Sequence, residues 1–259
     1  MADQPTQVPA TAARPSDCVS KSSEESTSTA AEKTSLAKHY SSLESIEQHR
    51  RVIERCAEAL RTTYKSTGSY VPMIPWVDDD SKHIDEIYSG LMLETEEGLT
   101  DSERRSRVLE TYGEIFEVKT KNGDPIHIAI LKGEPGRGKS TLVKKMAYDW
   151  AVYIRVLQKY KLVFVLKMHA LEQGCDVIDA ISDQLLPWLT SSDRRVLDLY
   201  IQDSSDKVLF LMDGFDELMT SALCESSFGS VFHVLHRKKY TGCSVVVTTR
   251  PSHYANLYG

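Results

Sequence analysis

Gly133-Glu134-Pro135-Gly136-Arg137-Gly138-Lys139-Ser140-Thr141 is the stretch on which the reading of this chain turns. The apolar run 126–131 precedes it and Leu142-Val143-Lys144-Lys145-Met146-Ala147 follows, so an extended segment enters the loop and a helix leaves it. Strand, G-x-x-x-x-G-K-[ST] and helix, in that order, separate a working phosphate loop from a glycine-rich turn with an incidental lysine. Glycines 133, 136 and 138 leave room for backbone N–H groups to turn inward around an anion. The helix that starts near Gly138 adds its positive dipole end. Lys139 brings an ammonium to the β- and γ-phosphates, and the Ser140 hydroxyl suits Mg²⁺. The whole loop from Gly133 to Thr141, with Glu134, Pro135 and Arg137 between the glycines, is expected to cradle the phosphates of a nucleotide such as ATP or ADP.

The second informative stretch is Val208-Leu209-Phe210-Leu211-Met212-Asp213-Gly214-Phe215-Asp216-Glu217. An apolar strand carries Asp213 to its carboxyl end, where parallel sheets bind ligands. A carboxylate there suits Mg²⁺ or its water, opposite Ser140. Asp216 and Glu217 lie just beyond and are candidates to polarise an attacking water. A D-G turn after a strand is ordinary by itself. Downstream of a phosphate loop, in an alternating β/α rhythm, it reads as Walker B.

The third is Ser244-Val245-Val246-Val247-Thr248-Thr249-Arg250-Pro251, another apolar strand, which delivers Thr249 and Arg250 to the same edge. A guanidinium in that place is suited to contact a γ-phosphate, the alternative being a surface arginine at a strand end. Strands are predicted at 126–131, 162–167, 208–212 and 243–249, with helices at 139–152, 177–186, 193–202 and 228–237. Near-continuous apolar strands alternating with helices predict an α/β fold, a parallel sheet covered on both faces.

Together, G-E-P-G-R-G-K-S-T, L-F-L-M-D-G-F-D-E-L and V-V-V-T-T-R-P resemble the NACHT domain of NOD-like receptors, among the signal-transduction ATPases with numerous domains. The acidic pair Asp216-Glu217 is the most specific part of the likeness, which covers residues 80–259. The resemblance implies a P-loop NTPase core with sheet order 5-1-4-3-2. It implies Lys139 and Ser140 as the Walker A pair and Asp213 as the Mg²⁺ residue. Glu217 or Asp216 would be the water activator, and Arg250 sensor 1. It further implies an ATP-binding, slowly hydrolysing switch of innate immunity whose nucleotide state controls self-assembly with its own kind. A nucleotide-holding relic without turnover and a metabolic P-loop kinase are the alternatives. The family's fifth strand, lid, winged helix and leucine-rich repeats have no counterpart before Gly259. The expectation is therefore a core truncated after sensor 1, with an open, fast-exchanging site that separates ATP poorly from GTP. Strand 126–131 would then be an exposed edge, which favours self-association.

Upstream, residues 1–35 are rich in Ser, Thr, Ala and Pro and are expected to form a disordered tail. From Leu36, apolar residues recur at three- and four-residue steps through Tyr40, Leu43, Ile46, Ile53, Cys56, Leu60 and Tyr64. That spacing predicts an amphipathic helix over 36–66, capped by Ser35 and docked on its own domain rather than on a partner. Residues 67–120 read as a connector, with a short strand at 87–93, a solvated loop at Asp78-Asp79-Asp80 and a weak helix over 101–120. Asn122-Gly123 signals a turn, and a hairpin joining 115–120 to 126–131 is the alternative to that helix. The core is assigned to 121–259.

Composition narrows the function. A net charge of −6 over 259 residues offers no basic face for nucleic acid. The five cysteines are dispersed without metal-ligand spacing, which suits a reducing compartment. Neither a signal peptide nor an apolar run long enough to span a bilayer is present, so the expected location is the cytoplasm.

Overall fold

Four short apolar runs build the centre of the molecule. The computed structural model describes residues 24–73, 80–90, 93–97, 105–120, 122–171, 174–218 and 229–253. Strands β5 (Ile128–Lys132), β6 (Leu162–Lys167), β7 (Val208–Asp213) and β8 (Ser244–Thr249) form one parallel sheet in the order β5-β8-β7-β6. Ile130 lies opposite Val247, Val246 opposite Leu211, and Met212 opposite Leu166. Val208–Met212 and Val245–Val247 are buried on both faces, which is why these strands carry no polar alternation.

Parallel neighbours need crossovers, and helices supply them. Helix α3 (Lys139–Ala151) joins β5 to β6, α4 (Val177–Gln184) and α5 (Ser191–Asp203) lead to β7, and α6 (Gly229–Leu235) leads to β8. Leu142, Val143, Met146, Ala147 and Trp150 form the buried stripe of α3. Asp176 caps α4 by accepting the Ile178 N–H, and α5 opens on a Thr190–Asp193 capping box. Numbered within the core, this order is 1-4-3-2. The α/β P-loop core and its strand neighbours are therefore as expected.

Helix α1 (Glu24–Lys65) starts upstream of the expected Leu36. Glu25, Ala30, Ala31, Glu32 and Lys33 are good helix formers, and no breaker separates them from the apolar stripe. Ser35 is thus an interior residue rather than a cap. The chain divides into two units, Met1–Gln48 and His49–Gly259. Within the second unit, Val52, Ile53, Cys56, Ala57, Leu60 and Tyr64 are buried. The ring of Tyr64 meets Trp150 edge-on at 6.0 Å, and the Arg61 guanidinium lies 4.3 Å over the same indole. This stretch of the helix docks on its own domain, as its spacing suggested.

Tyr64 also closes an edge. Strand β6 is at one side of the sheet, so its outward backbone groups need partners from elsewhere. The Tyr64 hydroxyl donates to Val163 O at 3.0 Å and accepts from Val165 N–H at 3.2 Å. The Gln184 amide serves Lys167 in the same way, accepting its N–H at 2.9 Å and donating to its carbonyl at 3.2 Å. Burial pushes the Tyr64 hydroxyl's pKa up, so it stays a neutral donor. Tyr64→Phe leaves one buried and one part-buried backbone group without this partner and is expected to lower stability by about 1–3 kcal/mol. Urea unfolding will show this as an earlier midpoint at unchanged slope; an unmoved midpoint would mean that these groups find other partners.

The connector departs from the expected elements. Strand β1 (Tyr70–Pro72) pairs antiparallel with β2 (Ser81–His83), and α2 (Ile84–Ile87) is a single turn capped by His83. Of the strand expected at 87–93, Ile87 ends α2, residues 88–90 are not in a strand, residues 91–92 lie outside the described residues, and Leu93 opens a strand. Strands β3 (Leu93–Glu97) and β4 (Arg105–Leu109) pair antiparallel where a helix over 101–120 was expected. Val108 is 52% exposed and Leu109 4% exposed, a period of two that suits a strand. A short 3₁₀ turn, Tyr112–Phe116, follows. The turn at Asn122-Gly123 does form: Thr120 N–H bonds Asp124 O at 2.8 Å and Lys119 pairs with Pro125. Trp76, Asp78, Asp79 and residues 1–23 lie outside the described residues.

An ion network ties the connector to α3. The Lys145 ammonium bonds Asp85 and Asp149 at 2.8 Å each, and the Tyr112 hydroxyl donates to the second Asp149 oxygen. The hydrogen bond from Lys145 holds the Asp85 carboxyl below its ordinary range. Among the described residues, no helix is long and apolar enough to cross a membrane.

Candidate nucleotide site

The phosphate loop leaves β5 and is anchored at both ends. Gly133 N–H bonds Thr249 O at 3.2 Å, which fastens the loop's first residue to the end of β8. At its other end Gly138 caps α3 with φ +82°, a left-handed conformation that glycine adopts without strain. The first bond of the helix runs from Leu142 N–H to Gly138 O at 2.9 Å. The N–H groups of Lys139, Ser140 and Thr141 therefore lack intrahelical acceptors and point out of the helix start. Glu134, Pro135, Gly136, Arg137 and Ser140 are exposed, so the rim is open to a ligand.

Lys139 folds back over this loop. Its ammonium donates to Gly133 O at 2.6 Å and to Glu134 O at 3.1 Å. Among the described residues no carboxylate pairs with it, so its charge is offset only by carbonyl dipoles. Unsatisfied N–H groups, a helix dipole and an ammonium without a carboxylate partner among the described residues make a cradle rich in donors, and a polyphosphate fits that chemistry.

Strand β7 ends at Asp213, where the second motif begins. The Thr248 hydroxyl donates to Asp213 Oδ1 at 2.7 Å and accepts the Gly214 N–H at 2.8 Å. The other Asp213 oxygen carries no hydrogen bond among the described residues. A hard oxygen ligand of this kind fits Mg²⁺. No hydrogen bond joins Ser140 to Asp213 among the described residues. Lys144, further along α3, has its pKa pushed down by burial and by Lys167 nearby, against an opposing pull from Asp213.

The chain then reverses sharply. Gly214 has φ +81°, and a Cβ added there would lie 2.8 Å from Glu217 Oε2. The 3₁₀ turn Phe215–Glu217 folds back against it, pinned by the buried Phe215. Gly214→Ala is expected to cost about 1–2 kcal/mol from the left-handed backbone alone. It would also push the Glu217 carboxylate aside, so a nucleotide-hydrolysing activity that uses this acid should fall by more than the stability loss explains. Unchanged turnover in a stably folded Gly214→Ala protein would show that the Glu217 position is immaterial.

The two acids after the turn are held differently. The Asp216 side chain is 5% exposed, with Oδ2 at 2.6 Å from Arg250 Nε and Oδ1 accepting the Arg250 N–H at 3.1 Å. Glu217 is 48% exposed, and its Oε2 lies 3.1 Å from His169 Nδ1. One acid is committed to the end of β8, while the other faces outward and meets His169.

The carboxyl edge of the sheet thus gathers all three motifs: Gly133 on Thr249, Asp213 on Thr248 and Asp216 on Arg250. Two participants escaped the sequence reading. His169 sits in the 3₁₀ turn Met168–Ala170 directly after β6, on the ligand side of the sheet. Its only local signal is that position. Thr248 looks like one more strand residue, and only its polarity among valines distinguishes it.

Comparison with known proteins adds to this geometry. Residues 127–258 match the family model of the NACHT domain. The chain is 31% identical over 126 residues to mouse "NACHT, LRR and PYD domains-containing protein 10", covering 48% of this chain and 17% of that protein. It is 31% identical over 122 residues to "NLR family CARD domain-containing protein 4" of Xenopus tropicalis, 47% of this chain and 12% of the other. Over 149 residues it is 26% identical to rat "NACHT, LRR and PYD domains-containing protein 3", 53% of this chain and 14% of that one. The matched region spans less than a fifth of each of these relatives, at 17%, 12% and 14% of their lengths.

Proposed function

This chain belongs to the NACHT family of P-loop NTPases, and from that premise we propose that it is an ATP-binding, slowly hydrolysing switch module of NOD-like receptor type. Its nucleotide state would control self-assembly as part of innate immunity in the cytoplasm. The observation that carries the reading is the phosphate loop with Lys139 folded over it, beside Asp213, one of whose oxygens carries no hydrogen bond among the described residues. Among the described residues Cys56, Cys175 and Cys243 form no disulfide, which agrees with a reducing compartment.

Each residue has a part in the proposed chemistry. The N–H groups at the start of α3 and the Lys139 ammonium bind the β- and γ-phosphates. Ser140 and Asp213 would hold Mg²⁺, which when bound neutralises charge on the phosphate oxygens. Glu217 is the better placed of the two acids to orient a water and accept its proton, being exposed and directed by His169. Asp216, buried against Arg250, positions the arginine at the γ-phosphate end as sensor 1.

The test is a turnover assay on the full chain with Mg-ATP, with and without phosphoryl acceptors. Slow phosphate release that acceptors do not change supports the switch. Acceptor-dependent transfer would indicate a kinase, and binding without release a nucleotide-holding relic.

A further inference from the structure

We propose that Thr248 is a positioning residue: it holds one oxygen of Asp213 and thereby presents the other to Mg²⁺. The inference rests on the nucleotide-site reading and deepens it. Thr248 is fully buried at 0% exposure, in a strand whose other buried side chains are Val245, Val246, Val247 and Thr249. A valine would fill the same space without the cost of burying a hydroxyl. The hydroxyl is used twice. Gly214 N–H can only donate and an ionised Asp213 can only accept, so the single hydroxyl proton must point at Asp213.

That relay fixes the carboxylate plane. Oδ1 is tied to β8, and Oδ2 is left for a cation or its water. The same strand end binds the other two motifs in consecutive residues, through Thr249 O to Gly133 N–H at 3.2 Å and Arg250 Nε to Asp216 at 2.6 Å. Thr248 is therefore the link through which the metal side of the site is registered by β8. Outer partners of this kind orient a ligand without touching the ion.

The measurement is ATP affinity of the full chain in excess EDTA and in excess Mg²⁺, for the unmodified protein, Thr248→Val and Thr248→Ser. The unmodified chain is expected to bind more tightly with Mg²⁺. Thr248→Val should lose about tenfold or more of that gain while its affinity in EDTA stays the same, and Thr248→Ser should restore it. Should Thr248→Val fail to fold, Thr248→Ala carries the same expectation. An undiminished Mg²⁺ gain in a folded hydroxyl-free variant overturns the inference and leaves the site intact. So does an equal loss in EDTA and Mg²⁺ that serine does not repair. No ATP binding by the unmodified chain under either condition removes the site reading, and this inference with it.

Discussion

Lys139→Ala is expected to weaken ATP binding by about ten- to hundredfold, since a charge-assisted hydrogen bond contributes roughly 1.5–3 kcal/mol. The lysine's present partners, Gly133 O and Glu134 O, are exposed-loop carbonyls that water can serve when the ammonium is gone. The fold should therefore survive: none of the buried core depends on Lys139, and its removal leaves the stripe of α3 untouched. A calorimetric titration reads the effect directly, and thermal unfolding without nucleotide should show little change. Equal ATP affinity in the two proteins would refute the phosphate-loop assignment.

Glu217→Gln should separate binding from turnover. Glutamine keeps the size and can still meet His169, but it cannot take a proton from water. General-base removal typically costs about 10²–10⁴ in rate, so phosphate release should fall by that order while ATP affinity holds. Asp216→Asn gives the contrast. Its carboxylate is sealed against Arg250, so the substitution should loosen the end of β8 and lower stability together with activity. The opposite pattern, with Asp216→Asn alone silencing a stable protein, would exchange the roles of the two acids.

How much of this was visible beforehand follows from the range of the interactions. The phosphate loop, β6 and the helices around them were legible because their signals are local. A glycine pattern, a run of apolar residues and a cap lie within a few positions of what they control. The pairing of Leu93–Glu97 with Arg105–Leu109 was not legible, because a strand rich in charge reveals itself only when its partner is known. The stripe of α1 was plain from its spacing, yet nothing in it showed that Tyr64 would serve a backbone 99 residues away. Asp216 and Glu217 are adjacent acids with the same local context. What distinguishes them is Arg250 on one side and His169 on the other, brought in by β8 and β6. Thr248 was passed over for the same reason, its purpose being a carboxylate 35 residues upstream.

The carboxyl edge of this sheet is proposed as a nucleotide site. Equilibrium dialysis of the full chain against labelled ATP with Mg²⁺ tests it most directly, with far-ultraviolet circular dichroism confirming the fold in the same sample. Saturable, stoichiometric binding that unlabelled ATP displaces is expected. A folded chain that retains no label at millimolar ATP would contradict it.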